Sequence, residues 1–259
     1  MAPALALVIV AMLGADAGVI LARMGGDDSV TQEVPDYLEP VLAEVTAFVE
    51  QARGLKFKRP PKFALVPDDQ FESLLQTDAD SEEGDDDSDD PESFLGVMRA
   101  LGLFDDTVDL DATAEEQVSN VIGYYNFETK ALYVRGVEVT PYAKEILAHE
   151  LTHALDDQHF GLNHSELRDE DATDAFSAFQ ALVEGDAVNV QLQWHASRSP
   201  EEREVIEAAD LEAAGGFGDG SVPDVFATAA AFPYFVGPRF VAAVRDEGGQ
   251  AALDAAFRR

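Results

Sequence analysis

Histidine is scarce in this chain, with five in 259 residues, yet two of them stand four apart with a glutamate beside the first: His149-Glu150-Leu151-Thr152-His153. Four residues make about one turn of an α-helix, so on a helix both imidazoles leave from one face and can share one metal ion. Glu150 sits where its carboxylate can reach a water on that metal. Zinc lowers the pKa of such a water to about 7, so a carboxylate can take its proton at neutral pH. The spacing therefore predicts one Zn2+ per chain held by His149 and His153, with Glu150 as the catalytic base that activates the zinc-bound water.

A catalytic zinc takes a third protein ligand and keeps one position open. Two residues compete for that place. His159 follows His149 at the spacing of the H-E-x-x-H-x-x-G-x-x-H pattern. There a glycine turns the chain sharply and brings the third histidine back; here Asp156 stands in its place and tolerates left-handed backbone far less well. Glu184, in Val183-Glu184-Gly185-Asp186-Ala187, is a carboxylate on an otherwise apolar turn of a later helix, where it needs a partner or a metal. Glu184 is the stronger candidate. Donors for a developing oxyanion are available in His159, His195, Tyr234 and Arg239, and Asp156, Asp157 and Asp186 can orient ligand imidazoles.

The elements that must carry these groups are legible around them. Thr140 before Pro141 is an N-cap followed by proline at the first helical position, so a helix opens there and runs to about Gln158. Upstream, Asn120–Tyr125 and Ala131–Val134 are β-branched and aromatic and flank a polar turn, which predicts a hairpin. A further strand is expected at Lys62–Val66 and an amphipathic helix over Tyr37–Gly54, with Leu42, Val45, Phe48 and Val49 as its stripe. Helices are expected over Phe94–Leu103, Thr173–His195 and Glu201–Ala214, and in a tail containing Pro233, Gly237 and Gly248-Gly249. Phe71–Leu75 is expected to start another.

Composition bounds the function. Fifty-one acidic against 17 basic side chains give a net charge of −34, which excludes phosphate-driven binding of nucleic acid. No cysteine is present, so disulfides, thiolate-held metals and thiol catalysis are excluded. Residues 78–92 carry ten acids and no base, and this insert is expected to be a solvated, disordered loop rather than a calcium site, because its ligand spacing fails. Acid spread along the rest of the chain, with only five lysines, suits a protein that stays hydrated at very high salt. Residues 3–22 are apolar apart from Asp16 and read, within 1–26, as a signal peptide or membrane anchor, followed by a linker at 27–35. An extracytoplasmic protein, secreted or membrane-tethered, is expected.

His149–Phe160 (HELTHALDDQHF) and Val183–Ala187 (VEGDA) together resemble the prokaryotic zinc metallopeptidases of gluzincin type, which carry H-E-x-T-H-A-L-x-D-Q-H-F followed by a V-E-G-D-A helix. Weaker echoes at Arg53–Lys58, Leu101-Gly102-Leu103, Gly123-Tyr124-Tyr125 and Phe232-Pro233-Tyr234 with Gly237 extend the resemblance over residues 36–259. The insert at 78–92 departs from it, and a further tail after Arg259 is expected. The resemblance implies an α+β, predominantly helical, zincin-like domain with a small sheet packed on the H-E-x-x-H helix. It also implies His149, His153 and Glu184 as metal ligands, Glu150 as base, and a peptide or protein substrate. The alternative from another class is a catalytically inactive, metal-stabilised cell-surface binding module, which has no need of Glu150.

Overall fold

The computed structural model describes residues 37–67, 71, 96, 99–103, 123–126, 130–135, 138–164, 167, 173–215 and 224–258. The apolar N-terminal run, the linker and the acid insert lie outside these residues, as do residues 72–75 of the helix expected from Phe71. Of the helix expected over Phe94–Leu103, residues 96, 99 and 100 are helical, 101–103 form a turn and bend, and the rest lie outside. The described part is mostly helical with one small sheet, an α+β arrangement.

Helix α1 (Glu39–Arg53) has Pro40 in its first turn and buries Val45, Val49 and Arg53, one turn apart along a single face. It stops at Gly54, whose φ of 68° is the left-handed conformation that glycine adopts without a Cβ penalty. Strands β1 (Lys62–Val66), β2 (Gly123–Asn126) and β3 (Ala131–Arg135) form a sheet in the order β1-β3-β2. The β2–β3 pair is antiparallel, as the hairpin pattern requires, and pairs Tyr124 with Tyr133. β1 joins β3 in parallel, with Lys62 opposite Ala131. That pairing joins segments far apart in the chain, and no local pattern announces it.

Helix α2 (Pro141–Phe160) begins as expected: the Thr140 hydroxyl accepts from the Ala143 amide at 3.0 Å. Its length from Glu145 to Asp157 is buried, because the sheet, α1 and helix α3 (Thr173–Ala196) surround it. Its polar side chains must therefore find partners inside the protein. Helix α4 (Pro200–Gly215) follows α3, and helix α5 (Asp224–Ala256) kinks at Gly248-Gly249.

The main core lies between α1, α2, α3 and the sheet, around Leu132, Leu147, Leu151, Leu155 and Trp194, with Phe48 edge-on to Trp194 at 5.0 Å. α3 and α5 cross at two glycines. A Cβ on Gly185 would lie 2.2 Å from the Gly237 carbonyl carbon, and one on Gly237 would lie 2.2 Å from the Ala181 oxygen. The two backbones touch there, so no larger residue fits at either position. Ala227–Ala256 is long and apolar enough to cross a bilayer by length and composition alone. Yet it also supplies core residues Tyr234, Val241 and Leu253, and Arg245 pairs with buried Asp186 on α3 at 2.7 Å.

Candidate metal centre

On α2 the four-residue spacing brings His149 and His153 to one face, with their Nε2 atoms 3.0 Å apart. Glu184 comes from the middle of α3, and its Oε2 lies 3.2 Å from His149 Nε2 and 3.4 Å from His153 Nε2. The Gly185–Gly237 crossing sits immediately beside Glu184, so the same close approach that packs α3 on α5 sets the height of this carboxylate. All three residues are buried, with Glu184 only 1% exposed. Donors bonded to a tetrahedral zinc at ~2.0–2.1 Å stand about 3.3 Å apart. The three side chains match that spacing, and this buried His-His-Glu group can hold a metal ion.

Electrostatics favour a cation there. Burial works against charge on Glu184, but the His153 and His149 rings beside it outweigh that penalty and hold its carboxyl down at about 2. Glu150 goes the other way. Burial pushes its pKa up to about 8, with His149 opposing the rise and the Glu184 charge adding to it. Neither Glu150 oxygen meets a side-chain donor among the described residues, and the Tyr125 backbone amide nearby only partly offsets the burial. A fully buried carboxyl so sparsely hydrogen-bonded costs free energy unless a ligand or ion meets it. Gly123 lets β2 run close to this turn: a Cβ there would stand 2.8 Å from Ile146 Cγ2 and 3.6 Å from Glu150 Cγ.

Of the four candidate oxyanion donors, only Tyr234 reaches the site. It is 1% exposed, its ring stacks over His149 at 6.3 Å, and its hydroxyl is in hydrogen-bonding reach of Glu184. Burial and the Glu184 and Glu150 charges push its pKa well above the usual phenol value. His159 is elsewhere, with Nε2 2.8 Å from the Lys56 carbonyl. His195 lies against Glu145, and Arg239 is exposed.

The three aspartates do not orient the ligand imidazoles. Asp156 and Asp186 both lie 2.6 Å from the buried Arg53 guanidinium, and Asp254 completes the cluster at 3.4 Å. Asp157 accepts from the Tyr125 hydroxyl at 2.9 Å and the Leu162 amide at 3.0 Å. What touches a ligand ring instead is Gln191, whose Oε1 is 3.0 Å from His149 Nδ1. Helical arithmetic marks it: Gln191 follows Glu184 by two turns on the same face of α3, and Glu145 precedes His149 by one turn on α2. No family model, curated protein or solved structure matches this chain.

Proposed function

We propose that this protein is a zinc-dependent peptidase with a zincin-like site, acting outside the cytoplasm on peptide or protein substrates. The observation that carries this reading is the fully buried carboxylate of Glu150, which has no side-chain hydrogen-bond partner among the described residues and stands one residue from a three-donor cluster. A site that only held a structural metal would gain nothing from that carboxylate, which is costly to bury.

His149, His153 and Glu184 would hold the metal, and a bound zinc ion would supply Lewis acidity to the scissile carbonyl and to water. Glu150 takes a proton from the attacking water as its oxygen bonds to the carbonyl carbon. The same carboxyl returns that proton to the amine nitrogen as the carbon–nitrogen bond breaks. A cation beside Glu150 counters the burial that raises its pKa, so the carboxyl ionises at neutral pH. Tyr234, fixed by its packing against His149, is placed to donate its hydroxyl to the oxyanion. The apolar run at 3–22 supports the extracytoplasmic assignment.

The test is metal content and cleavage of an unfolded protein in molar salt, for wild type beside Glu150→Gln. We expect about one zinc per chain in both. Cleavage is expected to be chelator-sensitive in wild type and reduced by about 10²–10⁴-fold in the variant. Full activity in Glu150→Gln, or no metal in folded wild type, rejects the proposal.

A further inference from the structure

Behind the candidate ligands runs a second buried polar chain that connects the site to the surface. His149 Nδ1 stands 3.0 Å from Gln191 Oε1, Gln191 Nε2 is 3.3 Å from Glu145 Oε1, and Glu145 Oε2 is 3.0 Å from His195 Nδ1. His195 Nε2 in turn lies 3.7 Å from Glu207, which is largely exposed. Glu145 and Gln191 are buried, and each spends its side-chain polar atoms on this chain.

We propose that Glu145, Gln191 and His195 are positioning residues that fix the tautomer of His149 and thereby the affinity of the metal site. The proposal rests on the metal-binding reading above and deepens it. An ionised carboxylate can only accept, so Glu145 requires an N–H from each neighbour. Gln191 must then turn its amide nitrogen to Glu145 and its oxygen to His149. That oxygen accepts only if His149 carries its proton on Nδ1, which leaves the Nε2 lone pair free for the metal beside His153 and Glu184. His195 closes the other side of Glu145 and keeps it from accepting elsewhere. His153 has no comparable support: its Nδ1 is buried without a hydrogen-bond partner among the described residues. His149 is therefore the ligand whose ring nitrogen is assigned by the protein, and Glu145 sets the direction although it touches no ligand.

The direction of donation can be tested without changing side-chain size. Zinc affinity would be measured by chelator competition, and the visible spectrum of the Co2+-substituted protein recorded, for wild type, Gln191→Leu, Glu145→Gln and the double swap Glu145→Gln/Gln191→Glu. The swap keeps the polarity: Glu at 191 accepts from His149 and from the amide nitrogen at 145, whose oxygen accepts from His195. We expect Gln191→Leu to bind zinc about 10–100-fold more weakly with an altered cobalt spectrum. Glu145→Gln, whose two facing amides no longer specify a direction, should fall between. The double swap should return to within about threefold of wild type and restore the spectrum, a non-additive result that packing alone does not produce. Wild-type affinity in Gln191→Leu and Glu145→Gln overturns the relay while leaving the metal site standing. So does a swap as weak as Gln191→Leu that still melts like wild type. A wild type that binds no zinc overturns both.

Discussion

Glu150 and Glu184 are the same side chain, both buried in one cluster, and their surroundings drive them apart. Glu184 is held as a carboxylate at about 2 by two imidazoles, whereas Glu150, raised by burial and by the Glu184 charge, goes up to about 8. Such a split fits the two roles in the proposed mechanism, the ionised group for the cation and the group with the raised pKa for the proton. Tyr234 belongs to the same local chemistry, since burial and two nearby carboxylates keep its hydroxyl protonated. Replacing Tyr234 with Phe should therefore leave zinc content unchanged and lower kcat by about 10²–10³-fold with little change in KM. Steady-state kinetics on a peptide substrate check this, and a wild-type kcat would remove Tyr234 from the mechanism. At this scale the sequence was informative wherever spacing is short. His149, Glu150 and His153 follow from one helical turn, and Glu184 from a carboxylate among apolar neighbours. Gln191 and Glu145 share a helix face with Glu184 and His149 by spacing, but that spacing does not say the two meet across α2 and α3, and Tyr234 has no local signature at all.

Two junctions between elements hold the ligands in place. The first is the α3–α5 crossing at Gly185 and Gly237, where any Cβ meets backbone within 2.2 Å. Backbone cannot move aside as a flexible side chain can, so Gly237→Ala should push the helices apart, costing about 1–3 kcal/mol or more. It should also weaken zinc binding, since Glu184 is next to the contact. A thermal melt and a zinc titration check both expectations, and a variant unchanged in each would show that the crossing does not set the site. The second junction is Arg53 at the end of α1, which reaches Asp156 on α2, Asp186 on α3 and Asp254 on α5. It explains why α2 does not turn at Asp156: that carboxylate is committed to a buried ion pair, the helix runs on to Phe160, and His159 is carried away from the metal site. Helix existence and starts were legible, as at Thr140-Pro141 and Gly54. The parallel β1–β3 pairing was not, since it depends on which distant strand arrives beside β3.

For the whole molecule the dominant quantity is a net charge of −34. Self-repulsion of that size opposes a compact state unless salt screens it or protons neutralise it. Some of the acid is also held in unfavourable places. Asp210 is buried, and its pKa rises to about 7 through burial and the charges of Glu145 and Glu207. Its folded pKa lies above the unfolded value of 3.8, so between these values the folded state binds the extra proton. Stability from this group is therefore complete below the lower value and is lost as pH rises through about 7. At low salt the melting midpoint should fall from pH 5 to pH 8, molar salt should reduce that fall, and Asp210→Asn should raise the midpoint more at pH 8 than at pH 5. Calorimetry at both pH values and both salt levels checks this; a midpoint independent of salt would contradict the role assigned to charge.

What the sequence determined by itself was local: the helix carrying both histidines, its cap, the hairpin before it, and the residue types able to bind a metal. Each depends on dihedral preference and on spacings of three or four residues, which neighbours in the chain settle between themselves. Tertiary structure decided which distant groups share the interior. It chose Glu184 over His159, brought Tyr234 against His149, and ran Gln191 and Glu145 behind the ligand ring. Those choices follow from where helices can touch: the bare backbones at Gly185 and Gly237 let α5 bring Tyr234 in beside Glu184, and the Arg53 cluster joins α1, α2, α3 and α5.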